Sequence, residues 1–204
     1  MARLASSGRV TVATVFSEAG PLPWSLAAYR AVAAYSRDPF ALFETRRRED
    51  LAGLGAMSVE AVHLGYCDAV FRARDVEPSQ GAARTAGLMS RLPVYPTYRF
   101  NVTRGRVTRA GRGLVDRVTA SLAELSDRLG PPPPTIFAPL AVGRHVDHFV
   151  ARDAATRLAL QVVFYSDFPY SESALPERNF VRHHNLVPRL GSTGAEANVA
   201  RLRS

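Results

Sequence analysis

Short apolar runs alternate with helical patterns along this chain. Runs rich in β-branched and aromatic residues predict strands at residues 9–16, 59–64, 135–138 and 162–165. Patterns with one apolar face predict helices at residues 24–35, 39–57, 113–129 and 149–160, and residues 1–8 resemble the end of a helix that stops at Gly8. This alternation predicts an α/β fold, a three-layer domain with a mainly parallel sheet. A strand expected before the first helix is missing from the pattern.

The composition indicates an ordinary globular protein. The chain has 204 residues, of which 47% are hydrophobic, enough for one domain with a sizeable core. No apolar run approaches the roughly 20 residues of a membrane span, and the N-terminus lacks the apolar core of a signal peptide. Cys67 is the only cysteine, which excludes an intrachain disulfide and fits a reducing compartment. We therefore expect a cytoplasmic protein without a membrane span.

The basic net charge does not change the expectation of an ordinary globular protein. The formal net charge is +8, and all 26 basic residues are arginine, a bias that a G+C-rich bacterial genome would explain. The arginines are spread along the chain, and the run Arg46 to Arg48 is followed directly by Glu49 and Asp50. This mixture favours a solvated surface, so we expect no nucleic-acid partner.

The candidate chemistry lies in residues 136–148, where a short strand, a loop with Gly143 and the start of a helix follow one another. His145 and His148 are three positions apart, so both rings lie on one side if the helix has begun. Imidazole is a common metal ligand and acid–base group, and Asp147 could orient one of the rings. In the structural alternative, Asp147 caps the helix and both histidines lie on the surface.

Four stretches, in this order, carry a family resemblance. They are the strand at residues 9–16; Arg46 to Glu49 with the next strand and the turn ending at Asp68; residues 138–148; and residues 162–172. Together they resemble the LmbE/PIG-L-type zinc-dependent de-N-acetylases over residues 4–172. The tail, residues 173–204, does not match, and we treat residues 1–204 as a single domain of this type.

The resemblance implies a Rossmann-like domain that binds one zinc ion and removes the acetyl group from an N-acetylglucosamine-type conjugate. It makes His148 a zinc ligand, His145 an acid or oxyanion-stabilising group, and Asp147 its orienting neighbour. Arg46 and Asp68 are assigned to substrate binding. Zinc would acidify a water molecule and polarise the acetyl carbonyl. The sugar conjugate is a small-molecule partner.

One family motif is absent from this sequence. No His-x-Asp-Asp precedes Val10, so the first strand, two zinc ligands and the base that the resemblance implies are missing. We favour the expectation that Met1 is an internal position of a longer deacetylase, which would leave a sheet edge that a homo-oligomer could cover. Two alternatives stay open: a non-catalytic relative that serves as a sugar-binding or interaction module, and a basic protein that binds polyanions.

Overall fold

Two compact units, residues 1–98 and 99–204, make up the chain in this computed structural model, and each has its own sheet. The structure describes residues 8–20, 22, 24–35, 38–73, 94, 102, 109–167, 170–172, 174–190 and 198–201. Residues 1–7 of the predicted first helix and most of the segment between residues 74 and 108 lie outside these ranges.

The first unit is built on a pair of parallel strands. Its elements are β1 (Thr11–Glu18), α1 (Leu26–Tyr35), α2 (Pro39–Ala56), β2 (Glu60–Cys67) and a 3-10 turn (Ala69–Phe71). β1 and β2 pair in parallel, with Thr11 opposite Glu60. The carboxyl ends of both strands therefore lie at the same edge of this sheet.

Helix α2 begins where the sequence provides a strong start signal. The Asp38 carboxylate accepts hydrogen bonds from the backbone N–H groups of Phe40 and Ala41, and Pro39 occupies the first helical position. On the side facing the sheet, Arg47 donates to the Ser17 carbonyl oxygen at 2.7 Å. The cap and this contact fix α2 along β1.

The second unit has a four-stranded sheet flanked by helices. Its elements are α3 (Arg109–Leu129), β3 (Ile136–Pro139), α4 (Val146–Thr156), β4 (Val162–Tyr165), a 3-10 turn (Tyr170–Glu172), α5 (Arg178–His183), β5 (Val187–Leu190) and β6 (Asn198–Arg201). The strand order is β3-β4-β6-β5. β3 and β4 are parallel, whereas β4–β6 and β6–β5 are antiparallel.

The core of the second unit forms around β4. Phe164 is fully buried and packs with apolar side chains from β3, the following loop and α4, among them Ala138, Leu140 and Ala155. The ring of Phe180, from α5, meets Phe164 edge-on at 5.3 Å between centroids. This packing holds the end of β4 beside the loop that follows β3.

The α/β class is confirmed, and the structure corrects several details. The strand at 162–165 and the helix starting at Pro39 are found where the pattern predicts them. The strand predicted at residues 59–64 ends too early, because β2 continues through Gly65 to Cys67, with Gly65 in a left-handed conformation, φ 74°. α5, β5 and β6 lie in a tail whose weak periodicity did not predict them. Among the described residues, no helix has the length and apolar composition needed to cross a membrane.

Candidate functional site

A tight loop joins β3 to α4 and sets the position of the two histidines. The Leu140 N–H donates to the Tyr165 carbonyl oxygen at 2.8 Å, so the loop leaves the sheet directly beside the end of β4. Ala141 and Arg144 then adopt left-handed backbone conformations, φ 60° and 57°. Such conformations are costly for residues with a side chain and often occur at functional sites. The turn brings the chain to His145 in the orientation that starts α4.

His145 is the residue that caps α4. Its Nδ1 atom accepts a hydrogen bond from the Asp147 backbone N–H at 3.3 Å, and its carbonyl accepts from the Phe149 N–H. The structural alternative, in which Asp147 caps the helix, is therefore wrong about the capping residue. A neutral imidazole that accepts at Nδ1 carries its proton on Nε2. The cap thus makes the Nε2–H of His145 a hydrogen-bond donor.

His148 lies one turn further along α4, beside His145. The two ring centroids are 5.3 Å apart, and the His148 side chain is about one-third exposed, at 34%. α4 begins at Val146, three residues before its predicted start, so both rings are brought to the N-terminal end of the helix. The three-residue spacing predicted that both rings lie on one side of the helix, and this geometry is consistent with that prediction.

Asp167 is a buried carboxylate beside His148, and its residue type and spacing had predicted no role for it. Its residue is only 3% exposed, Oδ1 lies 3.1 Å from His148 Nδ1, and Oδ2 accepts the Val142 N–H at 2.9 Å. Burial, followed by the negative charge of Asp167, raises the pKa of the neighbouring Tyr165. The available signal in the sequence was an aspartate directly after a buried strand.

Asp147 occupies the first turn of α4 and is buried, with 4% of its surface exposed. An acidic residue there interacts favourably with the partial positive charge of the helix N-terminus. Its predicted role as an orienting neighbour of His145 stays a prediction.

Arg46 and Asp68 belong to the first unit. Arg46 is exposed on α2, with its guanidinium carbon 5.5 Å from the centre of the Phe43 ring. The Asp68 carboxylate follows β2 and accepts the Val70 N–H at 3.0 Å, which caps the 3-10 turn. These contacts give both residues structural roles, and their assignment to substrate binding stays a prediction.

The described residues around His148 do not by themselves make up a catalytic zinc site. A catalytic zinc ion takes three protein ligands, and no group of three or more potential ligands lies together among the residues that the structure describes. His148 Nδ1 lies 3.1 Å from the Asp167 carboxylate, and a carboxylate at this position commonly orients a histidine that binds a metal through Nε2. The assignment of His148 as a zinc ligand therefore stays a prediction.

Among known proteins, this chain is similar to solved structures of deacetylases. No family model matches the chain, and neither does any curated protein. A solved deacetylase of the teicoplanin biosynthesis pathway, in complex with bog, aligns with a TM-score of 0.64 and 26% identity over 86% of this chain and 63% of its own. The zinc-inhibited form of a teicoplanin deacetylase aligns with a TM-score of 0.64 and 25% identity over 86% of this chain and 64% of its own.

A third solved structure, a deacetylase in complex with teicoplanin, gives a TM-score of 0.62 and 25% identity over 94% of this chain and 70% of its own. The chain thus spans less than two thirds of the length of the first two neighbours. These solved structures support the resemblance to a deacetylase family that the sequence motifs suggested.

Proposed function

We propose that this chain is part of a zinc-dependent de-N-acetylase that acts on an N-acetylglucosamine-type conjugate. The observation that carries the proposal is the pair His145 and His148 at the start of α4, in a chain whose structural neighbours are deacetylases. A neighbour crystallised with teicoplanin supports a sugar conjugate as the substrate class. A three-layer Rossmann-like arrangement of the whole protein and a cytoplasmic location belong to the same proposal.

The reaction is the hydrolysis of an acetamide. A water oxygen bonds to the acetyl carbon, the C–N bond breaks, and the nitrogen leaves as an amine after it receives a proton; the products are acetate and the free amino sugar. When bound, zinc supplies an acidified water molecule and a polarised carbonyl. His148 would hold the ion through Nε2. His145 would donate its Nε2–H to the oxygen on which negative charge develops, at the positive end of α4.

The first test separates metal binding from catalysis. We expect stoichiometric zinc and acetate release from N-acetylglucosaminyl substrates such as teicoplanin for the wild type, which requires two zinc ligands and a base in addition to the residues described above. His148→Ala should lose the metal, whereas His145→Ala should keep it and lower kcat by about 100- to 1,000-fold, the effect of removing one oxyanion donor. His183→Ala is a matched control, because His183 is an exposed histidine on α5. Zinc that stays bound in His148→Ala would contradict the ligand assignment.

A non-catalytic sugar-binding module is the second candidate. It is favoured by the finding that no three potential ligands lie together in the described part of the chain. This candidate predicts binding of the sugar conjugate by calorimetry without acetate release, and without stoichiometric zinc. Acetate release that depends on both histidines would exclude it.

A further inference from the structure

We propose that Asp167 is a positioning residue that fixes the ring tautomer of His148. In this assignment the imidazole proton lies on Nδ1, facing Asp167, and Nε2 carries the lone pair, the form in which a histidine can bind a cation. The identity of that cation rests on the proposed function, whereas the tautomer is a property of the protein alone.

The chemistry of the pair determines where the proton lies. A carboxylate accepts hydrogen bonds and donates none, and a neutral imidazole has one N–H. Because Asp167 Oδ1 is 3.1 Å from His148 Nδ1, a proton on Nδ1 is attracted to the carboxylate, whereas a lone pair there would face the negative charge. The tautomer with a bare Nε2 is therefore the stable one.

The contact between His148 Nδ1 and Asp167 Oδ1 is short, but the two groups are not aligned for a hydrogen bond. Nδ1 and Oδ1 are within ion-pair distance, at 3.1 Å, but they do not form a hydrogen bond in this geometry. Rotation about the Cβ–Cγ bond of a histidine is a soft motion, so the ring can align without a backbone shift. Hydrogen bonds at catalytic sites are often poorly aligned before a ligand binds and tighten when it does.

The second oxygen of Asp167 explains why the carboxylate is held in place. Oδ2 accepts the Val142 N–H at 2.9 Å, and both residues are almost completely buried. Val142 follows Ala141, one of the two left-handed residues of the loop. A buried carboxylate needs such partners to offset its lost hydration. One side chain thus connects the end of β4, the loop after β3 and the ligand on α4.

This geometry makes Asp167→Asn a sharp test. The amide has nearly the same size, and its oxygen can still accept the Val142 N–H. Its NH2 group then faces His148 and donates, so Nδ1 must accept and the proton moves to Nε2. A protonated Nε2 cannot bind a metal ion. Substitution of a residue that orients a ligand typically lowers metal affinity by about 10- to 100-fold.

The experiment reads the tautomer directly in the full chain. Long-range 1H–15N correlation spectra, recorded at about pH 8 where an ordinary histidine is neutral, distinguish the two tautomers, and His148→Gln identifies the His148 signals. We expect the Nδ1–H form in the wild type, the Nε2–H form in Asp167→Asn, and no change in the control Asp127→Asn, at an exposed position on α3. Zinc affinity, measured by competition with a chelator, should fall about 10- to 100-fold in Asp167→Asn alone.

The outcomes separate this inference from the proposed function. An Nε2–H tautomer in the wild type, or a tautomer that does not respond to Asp167→Asn, overturns the inference. If Asp167→Asn fails to fold, the wild-type spectrum decides alone. A wild-type chain that binds no zinc but shows the expected tautomer switch supports the role of Asp167 and contradicts the proposed function.

Discussion

Arg152 is a buried cation whose removal should cost little stability if its shape is kept. Its side chain is 7% exposed and lies between the Phe149 and Phe180 rings, 4.3 and 3.9 Å from their centroids. It forms ion pairs with Asp153 at 3.0 Å and with Glu177 at 3.1 Å. Arg152→Met retains most of the apolar stem and removes the charge.

The exposure of the Asp153 and Glu177 carboxylates determines how much stability Arg152→Met should lose. Removing one partner of a fully buried pair costs about 3–5 kcal/mol, because the other charge is left without water. Here Asp153 and Glu177 are 36% and 42% exposed, so both rehydrate, and each ion pair contributes only about 0–1 kcal/mol. Loss of the cation–π contacts, about 0.5–2 kcal/mol, is partly offset by sulfur–aromatic contacts of about 0.3–1.5 kcal/mol and by removing a desolvated guanidinium. The expected net change is within about 1 kcal/mol.

Urea unfolding followed by far-UV circular dichroism measures this change. Arg152→Ala is the matched variant, since it removes the same charge and also the packing between the rings. It should be less stable than Arg152→Met by roughly 2–5 kcal/mol, the usual effect of a Met-to-Ala truncation in a core. A loss of about 3 kcal/mol or more in Arg152→Met would refute the reasoning, because the carboxylates would then behave as buried charges.

Three other predictions concern stability. Phe164→Ala should lower the free energy of unfolding by about 3–5 kcal/mol, whereas Phe137→Ala, at a ring that is 45% exposed, should cost under about 1 kcal/mol in the same urea assay; similar losses would contradict the assigned core. Gly20→Ala should lower the melting temperature, since a Cβ there would lie 2.5 Å from a backbone carbonyl oxygen. Gly53→Ala should raise stability by about 1 kcal/mol, because α2 has open space for a Cβ at this position. Equal effects of the two substitutions would contradict the prediction that a Cβ clashes at Gly20 and not at Gly53. Burial, then the charges of His183 and Arg152, lower the pKa of His184, so the unfolded chain binds this proton more readily and stability should fall as the pH drops below about 6.5. His184→Gln should weaken that fall in urea midpoints measured across this range, and an unchanged pH dependence would exclude His184 as its source.

The sequence pattern predicted strands and helices correctly where a buried apolar run or a capping residue marks the element. The run at 162–165 is apolar and β-branched, and it forms β4 at those residues. Asp38 and Pro39 form a cap that fixed the start of α2. The α/β class followed from the same kind of local signal.

Pairings between distant residues were harder to predict. Asp167 comes 19 positions after His148 in the sequence, and only the parallel pairing of β3 with β4 places it next to the loop. The tail strands β5 and β6 have no strong pattern of their own, and their pairing with each other and with β4 defines them. The capping of α4 by His145 was missed because aspartate is the more common capping residue.

The strand order of the second sheet sets the order in which it can form during protein synthesis. β6 lies between β4 and β5, although it is the last of the described strands in sequence order. Among the described strands, β5 pairs only with β6, so it leaves the ribosome with no partner and must wait for residues 198–201. Until then one edge of β4 is open to pairing with other chains. We therefore expect nascent chains to be most prone to aggregation just before β6 is complete, and a chaperone that covers this edge would act at that step.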